Sequence, residues 1–164
     1  MKLQPMAAMI ADLSGADLEA AYLAMMIHHH KGGEPMWAMA REKSKSETIL
    51  SLEKETTPKE KKEVEQMTVW LKDWHGKTPQ DFAEPPESKV MMEKDMAQLK
   101  EADDKNFDAL FARKMARHHL GAIQMGRLAV KRGQHDEVKK FSEKLVESQT
   151  TDRAKLLEVA EKNE

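Results

Sequence analysis

Residues 111–126 read FARKMARHHLGAIQMG, and residues 22–37 read YLAMMIHHHKGGEPMW. Placed on a helix at about 100° per residue, Met115, His118, His119, Ala122 and Met125 share one face roughly 120° wide. Met26, His29, His30, Gly33 and Met36 share the same face of the other stretch. His28 falls on the opposite side, where its counterpart is Arg117, so it reads as a solvated bystander.

One shift of 89 positions relates the two stretches. It carries Met26, His29, His30, Gly32 and Met36 onto Met115, His118, His119, Gly121 and Met125. It also carries Ile49 onto Val138, Leu52 onto Phe141, Glu63 onto Asp152 and Met67 onto Leu156. A single insertion would break the register, so the pattern reads as an internal duplication with pseudo-twofold symmetry. The repeats are 17–75 and 106–162, joined by a linker at about 76–87, within one helical-bundle domain spanning 1–164.

Helix signals fill in the rest. Ser14 with Asp17 three residues on predicts an N-cap, and helical periodicity continues to about Lys45. Gly32-Gly33-Glu34-Pro35 predicts a kink or break inside it. Thr57-Pro58-Lys59-Glu60 predicts a second start, with a helix running to about His75 and stopped by Gly76. A third helical region runs from about Glu87 to Lys131, broken near Ala102–Asp104 and stopped by Gly133. A fourth runs from about Asp136 to Ala160. No segment alternates like a strand. The expected fold is all-α: two duplicated hairpins forming an antiparallel, ferritin-like four-helix bundle.

Composition narrows the chemistry. The chain has 164 residues, is 40% hydrophobic and 34% charged, and carries a net charge of −2, which favours neither nucleic acid nor an anionic membrane. Aromatics make up only 5%, too few for a base-stacking surface. The absence of cysteine excludes disulfides, thiolate zinc sites and cysteine nucleophiles. No apolar run reaches membrane-spanning length, and the first fifteen residues do not read as a signal peptide.

Methionine is enriched, at 13 residues. Met26, Met36, Met115 and Met125 either pack as core or ligate, since both uses suit a helix face. The paired histidines favour ligation: four imidazoles in a bundle core are costly unless hydrogen-bonded or bound. Imidazole plus thioether without thiolate suits copper, with Cu(II) preferring the imidazoles and Cu(I) accepting the thioethers. The candidate ligands are therefore His29, His30, Met26, Met36, His118, His119, Met115 and Met125. Met91, Met92 and Met96 read as packing, Trp70 and Trp74 as core anchors, and His75 and His135 as a helix end and a turn. The Lys/Glu runs at 53–63 read as a solvated helix face.

These residues resemble a duplicated ferritin-like family known as domain of unknown function 305, which includes periplasmic copper-binding proteins of the CopM type. The shared pattern is an aromatic residue, Met, His-His, a small residue and Met, and EVEQMTVWLKDWHG from Glu63 resembles the family's following helix. The resemblance implies metal binding and a periplasmic or secreted location. Pro35 departs from the family pattern, and Gln124 is its second-copy counterpart, so the second stripe is expected to be the more regular.

The expected function is copper sequestration or trafficking without catalysis, with a copper donor or acceptor protein as a partner. A ferritin-like di-iron site wants Glu-x-x-His pairs, which the chain lacks. Haem binding and a metal-free interaction module are the remaining alternatives.

Overall fold

A computed structural model describes residues 1–162. It is all-helical, with no strand among the described residues: α1 (Pro5–Ile10), α2 (Gly15–Lys43), α3 (Glu47–His75), α4 (Pro86–Glu101), α5 (Asp104–Arg132) and α6 (Asp136–Lys162), plus a 3₁₀ turn at Pro79–Asp81.

Local chemistry sets most boundaries. The Ser46 hydroxyl accepts from the Ile49 amide and starts α3, and Asp103 does the same for Asn106 at the start of α5. Gly76 ends α3 at φ 63°, where the amides of Gly76 and Lys77 reach back to Lys72 and Leu71. Gly133 stops α5 for a different reason. Its φ is an ordinary −63°, but a Cβ there would lie 2.5 Å from the Ala129 carbonyl oxygen. Ser14 is at the N-cap of α2, yet its side chain makes no capping bond.

Two expectations fail. Pro35 does not break its helix, and Pro58 does not begin one, because both lie inside continuous 29-residue helices. A helix-interior proline costs roughly 3 kcal/mol. Beyond Pro35, α2 buries Met36, Trp37 and Ala40, and on either side of Pro58, α3 buries Ile49, Leu52, Met67 and Leu71. Each of the buried Met, Ile and Leu side chains contributes about 1.5–3 kcal/mol, so packing outweighs the proline. At the N-terminus, Pro5 opens a short helix as its first residue. The break after α4 falls as expected, at Ala102 and Asp103.

The long helices α2, α3, α5 and α6 pack as α2 on α3, α5 on α6, α2 on α5 and, more lightly, α3 on α6. The short helices α1 and α4 lie across α2 and α5. Buried apolar residues form two clusters. One holds Tyr22, Leu23, Met26, Met67, Met125 and Leu145; the other holds Met36, Ile49, Phe107, Phe111, Met115 and Leu156. Along both α2 and α5, the histidine pairs fall between these clusters.

Candidate metal centre

The helix-face reading predicts inward histidines, and the fold brings both pairs to one place. His29 and His118 stack with centroids 3.7 Å apart and 18° between planes, and the His29 Nε2–H donates to the His118 carbonyl at 2.8 Å. His29, His30 and His119 are buried, while His118 is partly exposed and lines a cavity. The four rings form one layer rather than one site per repeat. Both stripes lie in continuous helices, the first with Pro35 inside it.

Two glycines let the rings approach. A Cβ at Gly33 would lie 2.9 Å from His118 Cε1, and one at Gly121 would lie 3.2 Å from His29 Nε2. Gly32, the sequence counterpart of Gly121, instead faces Met92 at an ordinary 3.6 Å.

Burial governs the protonation of the layer. It drives His118 and His119 down to about 3, helped by the neighbouring imidazoles. His29 is also held well below its ordinary value, by burial and by the charges of His118 and His30. His30 goes the other way. Burial would lower it, but Glu60 and a 2.8 Å contact from its Nε2 to Glu63 Oε1 outweigh that and raise it. Burial raises the Glu60 carboxyl, whose Oε2 accepts from Gln149 Nε2 at 3.0 Å. Three of the four rings are thus neutral at physiological pH, the form that ligates metal.

A metal is the natural partner for what remains unpaired. Among the described residues, His30 Nδ1 and His118 Nε2 are buried without hydrogen-bond partners, and His119 keeps at least one buried ring nitrogen free, its ring otherwise facing the Met115 carbonyl one turn back. Each such orphan costs about 1–3 kcal/mol. His30, Glu60 and Glu63 also bring one donor atom each within 4.8 Å of one another. This corrects the solvated-face reading of 53–63: Glu53 and Glu60 are buried, and Glu63 is nearly so. The sequence held one signal for them, because the 89-residue shift lays Glu60 and Glu63 on Gln149 and Asp152, two more polar residues on an inward face.

The methionines divide differently from the sequence pairing. Met26 shares an apolar cluster with Met125, and Met36 shares one with Met115, because α2 and α5 cross antiparallel at the histidines. All four are fully buried. Met6, Met91 and Met92 line a cavity of about 80 Å³ whose inner wall is His29 and His118. The N-terminal segment forms one side of it, held by Gln124, which accepts from the Gln4 amide and donates to the Lys2 carbonyl. His28 is no bystander: its Nε2 lies 2.8 Å and 3.0 Å from the Pro79 and Phe82 carbonyls, tying down the linker.

Comparison with known proteins places this arrangement. Residues 19–160 match the family model described as Domain of unknown function (DUF305). The chain belongs to the DUF305 family. Among solved structures, a DUF305 fragment from Deinococcus radiodurans is 25% identical, with a TM-score of 0.77 over 92% of this chain and 99% of that one. CopM in its Cu(II)-bound form is 23% identical, with a TM-score of 0.76 over 88% and 96%. A candidate secreted DUF305 protein from Streptomyces coelicolor is 22% identical, with a TM-score of 0.74 over 88% and 93%. No curated protein matches the sequence.

Away from the histidine layer, this DUF305 chain assembles a second polar cluster. The buried Glu19 carboxylate meets His75 Nε2 at 2.8 Å and His135 Nδ1 at 2.6 Å. Burial would raise this carboxyl, but bonds from the His135 amide and ring and from His75 prevail and hold it below the ordinary value. Sequence reading missed the cluster because its members come from two helices and the α5–α6 turn, with no shared periodicity. No helix is long and apolar enough to cross a membrane among the described residues.

Proposed function

We propose that this DUF305 chain binds copper in the histidine layer and sequesters it or hands it on. The observation that carries this reading is the set of unpartnered, neutral imidazole nitrogens on His118 and His119, with His30 Nδ1 beside them. His29, His30, His118 and His119 supply the nitrogen donors. Met26, Met36, Met115 and Met125 flank the layer and are the thioether candidates for Cu(I). Met6, Met91 and Met92 give a soft-lined entry from solvent. CopM, a structural neighbour, has Cu(II)-bound and Ag-bound forms, which supports the same class of cargo here.

The wider reading is a duplicated antiparallel four-helix bundle in one domain, with no catalysis, working outside the cytoplasm with a copper donor or acceptor protein. Contacts between residues 89 positions apart support the duplication. His29 meets His118, Glu60 meets Gln149, and Lys59 meets Ser148, as expected of equivalent residues near a twofold axis.

The test is anaerobic Cu(I) and aerobic Cu(II) titration of metal-free protein against a His118→Ala/His119→Ala variant. The variant should bind copper at least about ten-fold more weakly, since each 1.4 kcal/mol of lost ligation is ten-fold. Equal binding would remove the copper reading. A second reading is favoured by Glu60 and Glu63 beside His30, a donor set that also suits a harder divalent ion such as Fe(II). Iron exceeding copper after reconstitution with both metals would select it.

A further inference from the structure

The duplication supplies an internal control for Glu19. Its counterpart 89 positions on is Asp108. Asp108 clamps the α2–α3 turn, accepting from the Ser44 hydroxyl at 2.6 Å and the Lys45 amide at 3.2 Å. Glu19 clamps the α5–α6 turn in the same way: its Oε1 accepts from the Gln134 amide at 3.0 Å and the His135 amide at 2.7 Å. Lys45 and Gln134 are themselves 89 positions apart, so the clamp is the same device in both halves.

The clamp accounts for Oε1 and leaves the histidines unexplained. His135 stands just before α6, and the equivalent position just before α3 is Ser46. At Asp108 the work is done with no imidazole. At Glu19, two imidazole nitrogens converge on the second oxygen, Oε2. One donor atom from each of Glu19, His75 and His135 lies within 4.8 Å of the others.

We propose that Glu19, His75 and His135 form a second metal site, separate from the histidine layer, which takes an imidazole-seeking divalent cation such as Zn(II) or Cu(II). Two histidines and a carboxylate are a recurrent set for such ions. The set contains no thioether or thiolate, so it discriminates against Ag(I) and Cu(I). Its outer shell is in place: the two backbone amides fix the carboxylate, and Trp74 stacks on His135 at 3.7 Å and 6° to fix that ring. Each ring presents a lone pair to the ion once its proton is on the other nitrogen. His135, 31% exposed, leaves a route to solvent and a position for water. Glu19 is ten residues before His29, about 15 Å along α2 at about 1.5 Å per residue, so an ion here does not share ligands with the layer.

The test uses the full chain stripped of metal by chelation. Zn(II) is titrated calorimetrically, and Cu(II) is followed by quenching of tryptophan emission, since Trp74 touches the site and Trp70 stacks on Trp74. The His118→Ala/His119→Ala protein should still take up one Zn(II) equivalent and show Cu(II) quenching. Adding His75→Gln/His135→Gln should weaken that equivalent at least about ten-fold, while Ag(I) uptake by the otherwise unaltered protein stays the same. His135→Gln alone, at a partly exposed position that keeps its clamping amide, replaces the double variant if circular dichroism shows loss of helix. Unchanged Zn(II) affinity and stoichiometry in the His75/His135 variant would overturn the proposal. Loss of copper selectivity in the layer would overturn only the reading above, because the two sets of variants share no residue.

Discussion

A Cβ at Gly33 would press on His118, while one at the adjacent Gly32 would make only ordinary contact with Met92. The two neighbours therefore separate helix propensity from metal-site geometry. Gly32→Ala should raise stability by up to about 1 kcal/mol, the gain of alanine over glycine inside a helix. Gly33→Ala gains the same propensity but overpacks the His118 ring, a cost of about 1–3 kcal/mol. We expect Gly33→Ala to weaken copper binding roughly ten-fold, the effect of about 1.4 kcal/mol, and Gly32→Ala to leave it unchanged. Parallel melting curves and copper titrations of both variants would check this; equal copper affinity in the two would show that His118 does not need its present position. The identity of these glycines was visible in the sequence, but not which of them faces a ring. That depends on where α5 crosses α2.

At the scale of the helix, Pro35 is the instructive element. It is solvent-exposed, so removing its ring opens no cavity. Pro35→Ala restores an amide donor toward the Lys31 carbonyl and removes the ring's clash with it. Loss of the proline's restraint on the unfolded chain offsets about 0.4–1 kcal/mol of that gain. The net expectation is stabilisation by about 2 kcal/mol, or several degrees at about 2–4 °C per kcal/mol for a chain this size. Thermal unfolding followed by circular dichroism would measure it, and a lower melting temperature would contradict the account given for α2. Helix ends were legible where the signal is local: the break near Ala102–Asp104, Gly76 with its positive φ, and Gly133 against Ala129. Pro35 and Pro58 misled because a proline's local cost is weighed against burial many residues away.

For the whole molecule, the histidine layer makes metal-free stability depend on pH. His118 and His119 are depressed to about 3 from 6.5, and His29 is depressed in the same direction. As pH falls below about 6.5, the unfolded chain binds protons at these rings and the folded chain does not, so stability falls. His30, raised in the fold, contributes stability that is full below 6.5 and lost as pH rises through its folded value. Glu60, also raised, likewise favours the folded state in acid. Three depressed rings against one raised ring predict a falling melting temperature between pH 6.5 and 4.5. Replacing His29, His118 and His119 with Gln should flatten the slope over that window, as measured by thermal melts in chelator. A slope unchanged by the triple variant would show that the rings are not held neutral by the fold.

The sequence by itself determined that the chain is helical, where most helices stop, which face of each carries the Met–His–His–Met stripe, and that the stripe recurs at a constant shift. Those features rest on local propensity and on the 3.6-residue period, both of which are written along one helix at a time. Only the tertiary structure decided which helix each face meets. It put Met26 in one cluster with Met125 and Met36 in one with Met115, turned Glu60 and Glu63 toward His30, and drew Glu19, His75 and His135 together from two helices and a turn. A periodic charge pattern looks the same whether its face is wet or covered, and only the covering helix changes its chemistry. The four histidines were legible as residues, but a single shared layer of neutral rings became visible only when α2 crossed α5 at the two glycines.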